Sequence, residues 1–210
     1  MRDIRVIIMT ESSKFSGKCV AGVDVSNGKW VRLVSHDEET HGAISNDDLI
    51  CRDGRRCGLL DIVKVPTIKE CGNDIQPENV LIDERRYIEI EGKATIQDVL
   101  KIHPAEVRND ILGNKYPYIT DRKVADVGYS LTLVQVDNLT ITQETNPSGK
   151  PKTKAAFTYQ WDDYQNMSVT DPKFYSVPSG TKYGRAILVA SIGTPFNNRY
   201  YKFIAAVFIA

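Results

Sequence analysis

The chain has 210 residues, long enough for one large or two small domains, and its 27 acidic side chains balance its 27 basic ones, which excludes a protein that coats nucleic acid through net charge. No apolar run is long enough to span a bilayer, and no small-residue cleavage site follows the short apolar stretch at the N-terminus, so we expect a cytoplasmic protein without a signal peptide. The charge is uneven, with 19 Lys and Arg against 22 Asp and Glu in 1–128 and 8 against 5 in 129–210, which favours a localised anion site.

The segment "CVAGVDVSNGKWVRLV" at 19–34 predicts a β-hairpin. Asn27 and Gly28 form the pair that supplies both positive-φ residues of a type I′ turn, and the flanks are rich in β-branched residues. A two-residue turn at this place pairs Val25 with Trp30.

Arg32 shares one face of this hairpin with Trp30, opposite Val23, because side chains alternate along a strand. An arginine among valines needs an anion or water around its guanidinium. Three interpretations remain open: Arg32 extends past a core Trp30 into solvent, pairs with an internal carboxylate, or binds a ligand phosphate.

The rest of the N-terminal half combines short strands with one helix. Thr95 stands at an N-cap position with Asp98 three residues later, ahead of apolar residues at helical spacing, which predicts a helix at 95–102. Further segments predict strands at 4–9, 57–68 and 85–92 and a long polar loop at 35–56, with Pro66 ending its strand or confining it to an edge.

The C-terminal half returns to strands. The β-rich segments are "LTLVQVDNLTIT" at 131–142, "KAAFTYQW" at 154–161, "YQNMSVT" at 164–170, "RAILVASIG" at 185–193 and "YYKFIAAVFI" at 200–209. Similar numbers of short strands on each side of a helix-bearing middle are typical of two small β-barrels or two small sheets. We divide the chain into domains at 1–115 and 116–210.

Four cysteines lie in the first third of the chain: Cys19, Cys51, Cys57 and Cys71. Their spacing fits no ordinary zinc site, so we expect reduced thiols without metal, and nothing in the sequence implies a cofactor.

The segment "GTPFNNRYYK" at 193–202 mixes aromatic and basic residues. It brings Phe196, Tyr200 and Tyr201 beside Arg199 and Lys202. This is the combination of stacking and phosphate attraction that single-strand binding proteins use, although an aromatic hairpin corner that closes a barrel has the same composition.

Evidence for catalysis is weak. Asp162 and Asp163 are ordinary turn formers, and only Asp171 lies near enough in sequence to extend them toward a metal-dependent nuclease site. No nucleophile or phosphate-loop motif occurs, so we do not expect an enzyme.

Three segments carry a family resemblance: "GKCVAGVDVSNGKWVRLVS" at 17–35, "MSVTDPKFY" at 167–175 and "LVASIGTPFNNRYYKFIAAVF" at 188–208. They resemble the bacterial family of dual OB domain-containing proteins, and they lie at both ends of the chain, while 36–150 adds little. The resemblance implies two OB-like barrels in tandem. It also implies recognition of nucleic acid or nucleotides, in connection with prokaryotic conflict and phage-defence systems.

The residues that match the family pattern are Lys18, Trp30, Arg32, Ser35, Asp171, Pro172, Gly193, Pro195, Phe196, Tyr201 and Lys202. The resemblance implies no catalytic role for any of them, and it favours the ligand phosphate as the partner of Arg32. The third segment departs from the pattern, because it reads "FNNRYY" where a glycine and often a cysteine are expected before the Tyr-Lys pair.

The sequence therefore predicts an all-β protein with a minor helix, built from two tandem OB-like barrels packed together. We expect it to bind nucleic acid or a nucleotide-like anion through Lys18, Trp30, Arg32, Asp171, Phe196, Arg199, Tyr201 and Lys202. The alternatives are a module that contacts partner proteins of a defence system and a metal-dependent nuclease.

Overall fold

Strands dominate the computed structural model, which describes residues 2–14, 16–146 and 148–209. Strands account for 52% of the chain and helices for 10%, which confirms the predicted all-β class with a minor helix. Within the described residues, no helix is long and apolar enough to cross a membrane.

The first unit, Met1–Pro104, is a closed barrel. Its elements are β1 (Arg2–Lys14), β2 (Gly17–Asp24), β3 (Trp30–Val34), β4 (Asp61–Glu70), β5 (Asn79–Ile82), β6 (Glu89–Lys93) and α1 (Ile96–Ile102). The strands follow the order β1-β2-β3-β5-β4, and β4 pairs again with β1 to close the ring, while β6 adds to β4. Only the β3–β5 pair in this described sheet is parallel.

The second unit, Ala105–Ala210, repeats this order. Its elements are β7 (Tyr118–Thr120), α2 (Asp121–Val124), β8 (Leu131–Thr145), β9 (Pro151–Tyr159), β10 (Asp162–Val169), β11 (Thr181–Lys182), β12 (Ala186–Phe196) and β13 (Arg199–Ile209). The ring is β8-β9-β10-β13-β12, closed through β12 and β8, with a parallel pair between β10 and β13. β7 adds to β13 and β11 adds to β8.

The units meet in sequence between Pro104 and Ala105, ahead of the boundary that we placed at 115/116. The intervening residues join the second barrel, because the backbone N–H of Glu106 donates to the carbonyl of Leu133 at 2.7 Å.

The long connection between β3 and β4 has no strand or helix of its own in the structure, as predicted, but it completes the first core. Its apolar side chains Ile44, Leu49, Cys51 and Cys57 are buried in one cluster with the inward residues of the barrel strands. Burial raises the pKa of the Cys57 thiol to about 12, so this sulfur is held as a neutral, small apolar group.

The predicted hairpin forms, but its register differs from the prediction. Trp30 pairs with Val23 rather than Val25, and Arg32 pairs with Ala21. The displacement is an even number of residues, so Trp30 and Arg32 keep the face on which the alternation placed them.

Asp24 is the physical reason for the wider turn. Its carboxylate accepts hydrogen bonds from the backbone N–H of Ser26 at 2.8 Å and from the Asn27 side chain at 3.2 Å, and its carbonyl accepts from the N–H of Gly28. These bonds end β2 at Asp24. Gly28, at φ 69°, lies so close to α1 that an added Cβ would stand 2.3 Å from the carbonyl oxygen of Ile102.

The helix and most strands lie where the sequence predicts them. In α1, the Thr95 hydroxyl accepts from the Asp98 N–H and the Asp98 carboxylate accepts from the Thr95 N–H, which is the predicted capping box. The sequence analysis missed β5, β7 and β11, which are short. β7 pairs with β13 and β5 pairs with β3, in both cases far apart in the chain.

Both faces of the β2–β3 hairpin are buried. Val20 and Leu33 point into the barrel core, while Ala21 and Arg32 on the opposite face are 0% and 2% exposed. The Arg32 guanidinium donates a hydrogen bond to the Cys19 sulfur at 3.0 Å. The solvent-exposed interpretation of Arg32 is therefore wrong.

Arg32→Ala tests how far this buried guanidinium supports the fold. Truncation removes packed methylene groups and a charge-assisted hydrogen bond, so we expect a loss of roughly 2 kcal/mol or more in the free energy of unfolding, measured by urea denaturation. Arg52→Ala, at an exposed arginine of the same unit, is the matched control. Equal losses in the two variants would contradict a structural role for Arg32.

Candidate functional site

The hairpin of β12 and β13 ends in a two-residue turn. Asn197 and Asn198 have φ values of 51° and 59°, the two positive values that a type I′ turn requires. The turn places Phe196 directly opposite Arg199, at the end of the hairpin. The predicted aromatic and basic loop is thus an ordered hairpin tip.

Beside this tip, aromatic rings and a guanidinium lie together. Arg199 stacks on Tyr118 of β7, with 4.2 Å from its Cζ atom to the ring centroid, and Tyr201 lies 6.0 Å from the same ring. Phe196 is 65% exposed next to them. We call Tyr118, Phe196, Arg199 and Tyr201 the aromatic platform. A guanidinium stacked in this way leaves its in-plane N–H groups free to meet an acceptor such as phosphate.

The platform continues along β13 into a groove. Phe203 follows Tyr201 on the same face of the strand and pairs with Ser168 of β10. The groove has a volume of about 420 Å³, and its lining includes Phe203, Ser168, Tyr175 and Lys152.

Lys154 of β9 pairs with Ser168 of β10. Its ammonium donates to the Ser168 hydroxyl at 3.0 Å and to the carbonyl of Asn166 at 3.3 Å, and burial lowers the pKa of Lys154. Two lysines therefore lie near the Ser168 side of the groove, Lys152 in its lining and Lys154 next to it.

The two units differ in net charge, and the second unit, which contains these lysines, is the more positive one. Residues 1–104 contain 15 lysines and arginines against 18 acidic residues, and residues 105–210 contain 12 against 9. The platform and its groove thus belong to the unit with the basic excess.

Lys202, predicted as a ligand-binding residue, is only 1% exposed. Alternation along β13 turns it away from the platform, and its ammonium donates to the carbonyl of Ile111 at 2.7 Å, to the carbonyl of Asn114 and to the Asn114 side chain. Burial lowers the pKa of Lys202 to about 7. The Lys202 ammonium therefore hydrogen-bonds to residues 111–114, which precede β7.

Asp171 is buried in the same way, at 1% exposed. Its carboxylate accepts from the backbone N–H groups of Lys173 at 3.1 Å and Val207 at 3.0 Å, and it caps a short 3₁₀ turn at Pro172–Phe174. Burial raises the pKa of this carboxyl group. The contacts of Asp171 tie a loop to β13.

The other predicted residues, Lys18, Trp30 and Arg32, lie in the first unit. Lys18 is half-buried and its backbone bonds to that of Ile44. The Trp30 ring meets the edge of His103 at 5.1 Å between centroids. The structure therefore gathers Phe196, Arg199 and Tyr201 into one surface and places the remaining predicted residues elsewhere.

Tyr118, Lys154 and Phe203 were missed. Tyr118 joins the platform only through the pairing of β7 with β13, which connects residues far apart in sequence. For Phe203, the alternation along β13 that places Tyr201 and Phe203 on one face was the available signal.

Asp162 and Asp163, the aspartates considered for a nuclease site, contact other side chains of the protein. Asp162 lies 3.6 Å from Lys115, and Asp163 accepts from the Thr158 hydroxyl at 3.0 Å. In the part of the chain that the structure describes, no group of three or more His, Cys, Asp or Glu side chains is placed to hold a metal ion.

Two closed five-stranded barrels with one shared strand order define a tandem OB-fold protein. The sequence model of the dual OB-containing domain matches residues 4–207. The chain belongs to this family, as its sequence resemblance predicted.

Three solved structures align with the chain at low similarity. A murine DNA-binding protein bound with double-stranded DNA has a TM-score of 0.37 and 10% identity, with 100% of both chains covered. A structure described as "Structural mimicry for functional antagonism" has a TM-score of 0.36 and 8% identity, covering 100% of this chain and 92% of the other. The Ifi202 HINa domain in complex with 20-bp double-stranded DNA has a TM-score of 0.34 and 10% identity, covering 100% of this chain and 97% of the other. TM-scores this low carry no argument about function. A comparison with curated proteins found no match.

Lys202 predicts a specific pH dependence of stability. Because its pKa falls from 10.5 in the unfolded chain to about 7 in the fold, the unfolded state binds more protons between these values, and stability rises with pH across this window. We expect Lys202→Met to remove this rise, which amounts to at most about 1.4 kcal/mol per pH unit.

The measurement is the free energy of unfolding against pH for the native protein and the variant. Lys182→Met, at an exposed lysine of the same unit, is the control and should follow the native curve. A Lys202→Met curve parallel to the native one would contradict the lowered pKa.

Proposed function

We propose that the protein binds single-stranded nucleic acid on the outer surface of its second barrel, through the aromatic platform and the groove beside it. The observation that carries this proposal is Arg199 stacked on Tyr118 with Tyr201 adjacent, at an exposed hairpin tip. Base stacking on aromatic rings and cations near the backbone are the two attractions that single-strand binding surfaces combine.

The arrangement of the groups supports a strand that runs from the platform into the groove. Bases stack on Phe196 and the Tyr118–Tyr201 pair, while Arg199 meets a phosphate between them. Farther along, Phe203 offers another ring and Lys152 another cation. A nucleic acid single strand presents bases and phosphates in the same alternation.

The outer strand face is at least partly exposed in the second barrel and buried in the first, which favours the second barrel as the nucleic-acid-binding one. In the first barrel, Ala21 and Arg32 on the outer face of β2–β3 are buried. On the equivalent strands β9 and β10, Lys152 is exposed, and Lys154 and Ser168 are partly exposed. OB folds bind oligonucleotides on these strands and on the loops beside them.

We infer that binding is the whole activity, with no reaction of its own, because the platform offers stacking and charge but no activated nucleophile. A role as a cytoplasmic recognition component of prokaryotic defence is part of the proposal and rests on the family resemblance.

Arg199→Ala tests the proposal directly. Loss of one phosphate contact should weaken binding of a labelled single strand of about 15 nucleotides and reduce the slope of log affinity against log salt by roughly 0.7, measured by fluorescence anisotropy. Arg185→Ala, at an exposed arginine of the same unit that pairs with Asp137 at 3.3 Å, is the matched control. Identical affinity and slope in the two variants would sink the proposal.

A second candidate function is protein interaction, and a separate surface favours it. Trp161, at the turn of β9 and β10, is 97% exposed, and Tyr116 is 61% exposed. Lys115 lies 3.6 Å from Asp162, which brings the segment before β7 to the Trp161 turn. Exposed aromatic residues suit contact with a partner protein, and the family resemblance suggests partner proteins of a defence system.

Trp161→Ser separates the two functions. Because Trp161 is outside the aromatic platform and nearly fully exposed, we expect its replacement to change the free energy of unfolding by no more than about 0.5 kcal/mol. Affinity for the labelled single strand, measured as above, should stay at the native value. A marked loss of that affinity would instead place Trp161 in the nucleic-acid surface.

A further inference from the structure

The first barrel contains a cavity of about 650 Å³ that the proposed nucleic-acid surface does not use. It lies where the β2–β3 turn, the end of β4 and the start of β5 meet. Its lining includes Trp30, Lys29, Lys69, Arg2, Glu78 and Asn79. This size is within the range of small-molecule sites, roughly 300–1,000 Å³.

One wall of the cavity is a positioned indole ring. Trp30 packs against the edge of His103 at an interplanar angle of 72°, and His103 Nδ1 lies 2.7 Å from the carbonyl oxygen of Gly28. The indole is therefore held by α1 and by the β2–β3 turn. Ile4 and Val31 add apolar surface to the same cavity. A planar aromatic ligand ring suits such a wall.

Lysines supply the positive charge. Lys29 and Lys69 line the cavity, and within the described residues neither forms an ion pair. Arg2, by contrast, lies 3.5 Å from Glu70.

Asp24, the carboxylate of the β2–β3 turn in the cavity lining, already accepts hydrogen bonds. Asp24 accepts from the N–H and hydroxyl of Ser26 and from the Asn27 side chain. Glu70 and Glu78 also line the cavity, and Glu70 is the carboxylate paired with Arg2. Among the described residues, Lys29 and Lys69 are therefore the lining cations without an ion pair, and phosphate is an anion that lysines commonly bind.

The side-chain oxygen of Asn79 is a hydrogen-bond acceptor that a ligand could use. Its side-chain nitrogen donates to Gln76 at 3.3 Å, but its buried Oδ1 accepts no hydrogen bond from the described residues. A buried acceptor without a donor costs about 1–3 kcal/mol, so a ligand that brings an N–H group to Oδ1 gains this energy. The exocyclic amino group of a nucleobase is such a donor.

We propose that this cavity binds a nucleoside monophosphate whose base carries an amino group. The base stacks on Trp30 and donates to Asn79, and the phosphate lies between Lys29 and Lys69. The site belongs to the first barrel and does not rest on the function proposed for the second.

The test uses adenosine 5′-monophosphate and the 210-residue chain with Trp161→Phe, which leaves Trp30 as the tryptophan in the sequence. Titration should give a saturable change in Trp30 fluorescence, with the same affinity by calorimetry. Lys29→Gln and Lys69→Gln should each weaken binding about tenfold or more, since each removes a charge-assisted hydrogen bond. Asn79→Ala should weaken binding as well.

Controls separate this cavity from other sites. Lys101→Gln, at an exposed lysine of the same unit, should leave the affinity for adenosine 5′-monophosphate unchanged. Adenosine should bind more weakly than the monophosphate. No saturable response at millimolar nucleotide, an affinity indifferent to both lysine substitutions, or equal binding of adenosine would each overturn the proposal. Loss of oligonucleotide binding in Arg199→Ala tests the second barrel alone.

Discussion

Each barrel depends on one parallel strand pair. A five-stranded sheet leaves unsatisfied backbone groups on its two edges unless it closes, and here closure joins β3 to β5 and β10 to β13 in parallel. Parallel neighbours need a long connection between them. The chain accordingly passes through β4 between β3 and β5, and through a 3₁₀ turn, β11 and β12 between β10 and β13. The remaining strands of each ring pair in antiparallel fashion around this join.

Both candidate sites lie beside this equivalent pair. In the first barrel, Asn79 pairs with Arg32 across the join, and Trp30 begins the same strand. In the second, Phe203 pairs with Ser168, and the groove lies over them. The join brings together residues from distant parts of the chain, so each site combines side chains that no local segment contains. One topology thus places a solvent-open pocket beside the same strand pair in each barrel.

The sequence predicted the features that local chemistry decides. The capping box of Thr95 and Asp98, the face shared by Trp30 and Arg32, and the strands that follow residue 130 all depend on residues close in the chain. The hairpin register depended on the Asp24 side chain, whose hydrogen bonds compete with the shorter turn that Asn27 and Gly28 favour.

The site was predicted in part for the same reason. Phe196, Arg199 and Tyr201 are neighbours in sequence, and their composition indicated a stacking surface. Lys202 has the same local context, but alternation and the acceptors at 111–114 place it inside. Tyr118 and Asn79 belong to short strands whose partners are remote, so no local pattern distinguishes them. The sequence analysis therefore identified the hairpin tip and missed what packs beside it.

The shortness of β7 has a consequence for the aromatic platform. This strand spans only Tyr118–Thr120 and, among the described residues, pairs with β13 alone, so few hydrogen bonds hold it in place. Short edge segments of this kind open locally at a small fraction of the global free energy. While β7 is detached, the Tyr118 ring is absent from the platform. The apparent dissociation constant of a ligand that needs this ring is then the intrinsic value divided by the fraction of molecules in which β7 is docked. For the proposed nucleic-acid ligand, changes in the docking equilibrium of β7 would therefore change the affinity without altering any residue that the ligand touches.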